Sequence, residues 1–311
     1  MEFKHISVML DECIEALNIK PDGIYMDGTL GGGGHSSVIA SKLNNKGKLI
    51  CFDLDKDAIN FAKTKVISKG QVIFANTNFK NFMSVLQENN IKSLDGILVD
   101  LGVSSYQIDN PERGFSYMQD GPLNMCMNQN SDITAQTVVN EYSEQKLSEI
   151  FFKYGEEKFS KSIARNIIKA RANSPITTTQ QLVKIIEYSI PAKERYKSGH
   201  PAKRVFQALR IEVNAELDNL KEFLFDCVRL GLNKDGRLAV ITFHSLEDRI
   251  VKDAFKELST DCLCDKRIPI CVCNHKAEIK LINKKPITPS QEELQNNTRS
   301  HSAKLRVIQK I

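Results

Sequence analysis

MDGTLGGGGHSS (residues 26–37) sets four consecutive glycines between an apolar run and a histidine. A flexible linker has no need of a strand before it or a helix after it, and this stretch has the pattern of both. Strand, glycine-rich turn, helix is the ligand-binding turn of many α/β folds. Without a Cβ the backbone turns sharply and approaches a ligand closely. The dinucleotide fingerprint G-x-G-x-x-G is broken, because Gly31 and Gly33 are followed by Ser36. Two acids point elsewhere. Asp27 ends the strand before the glycines, and Asp53 ends the next apolar run, where it can accept hydrogen bonds from both hydroxyls of a ribose. An acid before the turn and another one strand over suit S-adenosylmethionine, which has no pyrophosphate but carries an α-amino group in need of an anion.

Working outward, GIYMDGTL (23–30), GKLICFDLD (47–55), QVIFAN (71–76) and LDGILVDLGV (94–103) read as short buried strands. Between the second and third, DAINFAKTKVI (57–67) places Ile59, Ala62 and Val66 on one helical stripe. Strand–helix alternation of this kind predicts a parallel sheet covered on both faces. After residue 105 the pattern becomes helical. EEKFSKSIARNIIKARA (156–172) aligns Phe159, Ile163, Ile167 and Ile168, and TTTQQLVKIIEYSI (177–190) opens on threonine caps. Residues 201–232 read as one long helix or two in tandem. GRLAVITFHS (236–245), AEIKLIN (277–283) and SAKLRVIQKI (302–311) return to strand. The economical reading is one α/β domain interrupted by a helical insertion after its fourth strand.

The chain has 311 residues, 41% of them hydrophobic and 26% charged, with a net charge of +5. That composition is ordinary for a globular protein and compatible with an anionic partner. No apolar run approaches the ~20 residues of a membrane span, so the expectation is an intracellular, cytoplasmic protein. Of eight cysteines, Cys262, Cys264, Cys271 and Cys273 crowd into CLCDKRIPICVCNH (262–275). Four thiols could hold zinc, but the usual pair spacing is C-x2-C. Reduced thiols without metal are the reading taken.

DLGVSSYQ (100–107) puts Asp100 at the carboxyl edge of the sheet, where open α/β sheets bind ligands. A nucleobase amine delocalises its lone pair into the ring. An acceptor on its N–H, with the methyl donor held in line, restores reactivity. Asp100 and Ser104 are candidate acceptors, with a turn-forming role as the alternative for Asp100. In FHSLED (243–248), Ser245 and Asp248 have the spacing of a capping box. His244 is either a site group or a packed structural histidine. Lys161, Arg165, Lys169 and Arg171 recur along one helix, and Lys193, Arg195, Lys197, His200, Lys203 and Arg204 crowd another stretch. They read as a solvated face or as phosphate contacts.

With these residues in hand the chain resembles the bacterial small-subunit ribosomal RNA methyltransferase H family, the 16S ribosomal RNA cytosine-N4 methyltransferases. The resemblance runs through KHISVMLDE, DGTLGGGGHSS, FDLDKDAI, DGILVDLGVSSYQ, RGFSY, YGEEKFS, HPAKRVFQALRIEVNAEL and FHSLEDRIVK. It implies a class I, Rossmann-like S-adenosylmethionine-dependent methyltransferase sheet over residues 1–108 and 206–311. An inserted helical RNA-recognition domain would occupy 109–205. It implies transfer to the N4 amine of a decoding-centre cytosine, 16S rRNA in the small subunit as partner, no membrane and no obligate protein partner. Cofactor contacts would fall on Gly33, Gly34, His35, Asp53, Phe79, Asp100 and Gln107. Phe79 would be an apolar wall near the adenine, and His35 either a contact or a plain helix-start residue. Asp100, Ser104 and His244 remain the catalytic candidates. In GPLNMCMNQN (121–130) the chain departs from the family, with Asn124, Cys126 and Asn128 where Asp, Arg and Asp are usual. That departure motivates an alternative, an RNA-binding paralogue with weakened or lost catalysis. A further alternative is an amine methyltransferase with another substrate.

Overall fold

A computed structural model describes residues 7–129, 131–197, 199–265, 270 and 272–311. The chain divides into two compact units, one comprising Met1–Gly102 with Asp218–Ile311 and the other Val103–Leu217. The divisions lie outside the 108/109 and 205/206 junctions expected from sequence. The reason at the second junction is continuity: the helix Lys203–Asn214 runs unbroken across it.

The first unit holds a seven-stranded sheet. Its strands are β1 (Ile24–Asp27), β2 (Lys48–Phe52), β3 (Gln71–Ala75), β4 (Leu94–Asp100), β5 (Leu232–Thr242), β6 (Ile279–Leu281) and β7 (Lys304–Lys310), in the order β3-β2-β1-β4-β5-β7-β6. β1 to β5 are parallel, while β7 runs antiparallel to both β5 and β6. All seven coincide with the apolar runs read from the sequence. β1, β2 and β4 are buried almost end to end, with Met26, Ile50, Cys51, Ile97, Leu98 and Val99 all fully enclosed. Continuous burial is what a parallel strand covered on both faces requires. Chain order runs β1-β2-β3 to one side and β1-β4-β5 to the other. The crevice beyond the carboxyl ends of β1 and β4 is therefore the switch point where such sheets bind ligands.

β1, β2, β4 and β5 each end three residues before the end of the apolar run read from the sequence. β4 stops at Asp100, and Gly102 then turns at φ 105°. β5 stops at Thr242 because His244 becomes a helix cap. The 201–232 segment is two helices, Lys203–Asn214 and Leu220–Asp226. Ala215 and Asn219 break it in the left-handed region, at φ 48° and 56°.

The second unit is helical: Ala135–Glu141, Glu144–Gly155, Ser160–Arg171, Thr179–Ser189 and Lys203–Asn214 surround one apolar core. Ile163, Ile167, Leu182 and Ile186 are fully buried, as their spacing predicts, with Phe159, Ile168 and Ile185 packed at its margin. Among the described residues no helix is long and apolar enough to cross a membrane.

Candidate active site

The glycine turn is held by hydrogen bonds to its own sheet. Gly28 N–H donates to the Leu98 carbonyl and Leu30 N–H to that of Phe52, joining the turn to β4 and β2. Gly31 N–H donates to Asp53 Oδ2 at 2.8 Å. Gly31 and Gly33 adopt φ of 47° and 75°, the left-handed region that favours glycine. A Cβ on Gly34 would meet Ser7 Oγ, so that glycine answers to packing against the amino-terminal segment as well as to any ligand. The helix Gly34–Lys42 follows, with Gly33 as its N-cap and its amide end at the turn.

Both carboxylate oxygens of Asp27 have partners inside the protein. Its Oδ1 accepts the Thr29 N–H at 3.0 Å and its Oδ2 the Ser36 hydroxyl at 2.6 Å, both within the protein. The carboxylate braces the turn and the first turn of the helix. His35 is buried as well, and its Nε2–H donates to the Val8 carbonyl at 3.1 Å. A carbonyl can only accept, so the proton sits on Nε2. Burial holds the imidazole below its ordinary pKa, against the pull of Asp27. The side chain of His35 is committed to the amino-terminal segment, and only its backbone belongs to the turn.

Asp53 lies one residue past β2 and is half-buried. Oδ2 takes the Gly31 N–H and Oδ1 the Asp55 N–H, each at 2.8 Å. Each oxygen keeps a further lone pair. Burial pushes the carboxyl up to about 6, although both amide bonds oppose the shift. Phe79 begins a short turn after β3. Its ring packs edge-on against Phe223, centroids 4.7 Å apart, and its Cβ would stand 3.3 Å from a Cβ on Gly28. Phe79 is thereby fixed beside the end of β1.

Asp100 closes β4. Its N–H donates to Thr29 Oγ1, so the turn's threonine ties the tips of β1 and β4 together. Its Oδ1 is buried with no hydrogen-bond partner among the described residues. Burial, then the charges of Asp27, Glu247 and Glu293, hold the carboxyl well above the usual range. Buried polar atoms are ordinarily paired, and a carboxylate oxygen is satisfied by an N–H donor. These groups suit S-adenosylmethionine: Asp53 could accept from the ribose hydroxyls, Phe79 could wall the base, and Asp100 could accept from an ammonium.

The profile of the MraW methylase family matches residues 2–311. The chain belongs to that family. It is 57% identical over 311 residues to a Clostridium botulinum (strain Loch Maree / Type A3) protein named ribosomal RNA small subunit methyltransferase H, covering 100% of both chains. Proteins of the same name from Clostridioides difficile (strain 630) and Finegoldia magna are 52% and 53% identical, again over the full length of both chains. A methylase of this family takes its methyl group from S-adenosylmethionine.

Several other residues singled out in this MraW-family methylase have internal partners, although His244 Nε2, like Asp100 Oδ1, is buried without a hydrogen-bond partner among the described residues. His244 is the N-cap of the helix Ser245–Leu258. Its Nδ1 accepts the Glu247 N–H at 3.4 Å, and Glu247 Oε2 accepts the N–H groups of Phe243 and His244. The capping box is therefore His244–Glu247, one residue before the Ser245–Asp248 box expected. Asp248 instead binds Arg306 Nε at 2.7 Å and Lys304 Nζ at 3.2 Å. Ser104 and Gln107 fall in the second unit, where they form their own capping box. Ser104 Oγ accepts the Gln107 N–H and Gln107 Oε1 the Ser104 N–H.

The departure at 124–128 is also internal at two of its three positions. Asn124 Oδ1 accepts the Cys126 N–H at 2.8 Å, as an aspartate would, and the buried Cys126 thiol donates to the Ile133 carbonyl at 3.0 Å. Asn128 contributes its carbonyl to the Ser131 N–H. In the basic helix, Arg171 turns inward to the Val139 carbonyl while Lys161, Arg165 and Lys169 stay exposed. In the 193–204 stretch, His200 stacks on Tyr117, and Arg195 and Arg204 reach the carbonyls of Ile190 and Glu156. Lys197 pairs with Glu194, and Lys193 and Lys203 remain exposed.

Thr29, Phe223 and Glu247 organise the site and were not foreseen. Thr29 had a signal, its place between Asp27 and the glycines. Glu247 lay inside FHSLED, where the cap was read one residue later, and Phe223 comes from distant sequence and had none.

Proposed function

We propose that this methylase transfers a methyl group from S-adenosylmethionine to the N4 amine of a decoding-centre cytosine in 16S ribosomal RNA. The observation that carries the reading is the buried Oδ1 of Asp100 at the carboxyl edge of β4, which has no hydrogen-bond partner among the described residues. Its relatives named ribosomal RNA small subunit methyltransferase H support the substrate class. A ribosomal substrate puts the enzyme in the cytoplasm.

When bound, the cofactor supplies a methyl on a sulfonium. The chain's own residues do the rest. Asp53 accepts the ribose hydroxyls, the turn around Gly33 and Gly34 brings main chain against the cofactor, and Phe79 walls the adenine. Asp100 accepts an N–H of the cofactor's amino group. His244 is poorly suited to accept the amine proton. With Nδ1 accepting from Glu247, a neutral ring carries its proton on Nε2. That leaves His244 as a cap that shapes the edge of the site.

RNA recognition is assigned to the second unit. Lys169 and Lys184 flank Tyr188, which is 81% exposed, around a groove of about 340 Å³ lined also by Asn166, Asn173 and Ile185. Cations beside an exposed ring suit phosphate contacts and base stacking.

Mapping N4-methylcytidine in small-subunit RNA from cells with and without this protein tests the reading. The mark should vanish with the protein and return when it is restored. Tritiated-methyl transfer to small subunits lacking the mark separates an enzyme from a paralogue that only binds. The substitutions Asn124→Asp, Cys126→Arg and Asn128→Asp together should not raise that rate, because Asn124 and Cys126 serve the local turn.

A further inference from the structure

The segment joining the helix Ser245–Leu258 to β6 is closed at its base. Glu278 N–H donates to the Leu258 carbonyl at 2.8 Å, Ala277 N–H to Asp261 Oδ1, and a His275 ring nitrogen lies 3.0 Å from the Glu257 carbonyl. Among the described residues no apolar side chain is buried at its tip, where Leu263, Ile270 and Val272 are 50%, 74% and 72% exposed. A loop without a core of its own needs another means of order, commonly a cross-link or a metal.

The sulfur atoms of Cys262, Cys264 and Cys273 lie within 4.8 Å of one another. The Sγ atoms of Cys262 and Cys273 are 3.8 Å apart, far beyond the ~2.05 Å of a disulfide. A tetrahedral ion with Zn–S bonds of ~2.3 Å spaces its sulfurs about 3.8 Å apart. The backbone is arranged for thiolates. Leu263 N–H points at Cys273 Sγ and Val272 N–H at Cys264 Sγ, both at 3.4 Å. Each donor is the residue following the first cysteine of a Cys-x-Cys pair, and each acceptor belongs to the other pair. Such N–H groups offset thiolate charge and orient the ligands. Cys271, which completes the second pair in the sequence, lies outside the described residues. His275 is not in the cluster.

We infer that Cys262, Cys264 and Cys273 hold a structural zinc ion that orders the loop between the helix and β6. The site is separate from the residues assigned to methyl transfer and does not depend on that assignment. Soft thiolate donors in tetrahedral spacing select zinc over harder cations. The sequence alone had favoured metal-free thiols, because its C-x-C spacing is unusual.

The test is metal analysis of the full-length protein, purified under reducing conditions without chelator and confirmed as folded by its binding of S-adenosylhomocysteine. Stoichiometric zinc is expected. Replacing it with cobalt should give thiolate-to-metal charge-transfer absorption in the near ultraviolet. The double variant Cys262→Ser with Cys264→Ser should lose the bound zinc, and Asp53→Ala should keep it. If the double variant does not fold, the cobalt spectrum of the unaltered protein still decides between sulfur and oxygen ligation. Folded, reduced protein without zinc would overturn the inference. So would cobalt bound without charge-transfer bands, or zinc retained in full by the double variant.

Discussion

Burial pushes the Asp53 carboxyl up to about 6, and a ribose hydroxyl would favour its ionised form. The sign follows. Protonation removes an acceptor, so S-adenosylhomocysteine affinity should hold above about pH 6 and fall as pH drops through it, by up to about tenfold per pH unit. Calorimetric titration between pH 5 and 8 checks this, and the dependence should be absent in Asp53→Ala. For the ligand-free protein the sign reverses. A carboxyl whose folded pKa is raised favours the fold at low pH, and that contribution is lost as pH rises through about 6. Asp100 is held still more firmly toward its neutral form by burial. Asp100→Asn should therefore melt at a higher temperature than the parent without ligand. It should also bind S-adenosylhomocysteine about tenfold more weakly, because a charge-assisted bond becomes a neutral one. Unchanged affinity with a slower methyl-transfer rate would reassign Asp100 to the target amine.

The glycine turn and the helix behind it act as one element. Gly33 combines φ 75° with a position where a Cβ would lie 3.1 Å from Ala62 Cβ and 3.2 Å from Val66 Cγ2. Gly33→Ala should cost about 1–3 kcal/mol in urea denaturation, from left-handed strain and overpacking together. An equal or higher urea midpoint would show that the turn can relax. The turn was legible because its demand for glycine is local. The cap of the helix Ser245–Leu258 was not. Ser245 and Asp248 have the right spacing, but β5 ends early enough for His244 to cap. Asp248 is drawn to Arg306 and Lys304 on β7, a strand far along the chain.

For the whole molecule the testable property is salt. If the second unit grips phosphates, RNA affinity falls steeply as salt rises, with a log–log slope of about −0.7 to −0.9 per phosphate neutralised. Lys169→Glu with Lys184→Glu should flatten that slope by about one per lysine. Tyr188→Ala should cost ~1–3 kcal/mol of binding with the slope preserved. Filter binding of a small-subunit RNA fragment across a salt series measures both. A slope indifferent to the lysines would leave the groove as a plain surface.

All seven strands, the glycine turn and the acids Asp53 and Asp100 follow from the sequence by itself, because period, apolar runs and turn chemistry are written in adjacent residues. The tertiary structure alone decided what each polar group does. Asp27 and His35, which read as ligand groups, have internal partners, while Asp100 Oδ1 has none among the described residues. It also decided that three thiols lie within 4.8 Å of one another and that the second unit takes in the whole of the helix Lys203–Asn214. A side chain's role depends on which donors and acceptors the fold brings within hydrogen-bond distance of it, and some of the deciding ones, such as Val8 for His35, Gly31 for Asp53 and Arg306 for Asp248, lie tens of residues away in the chain.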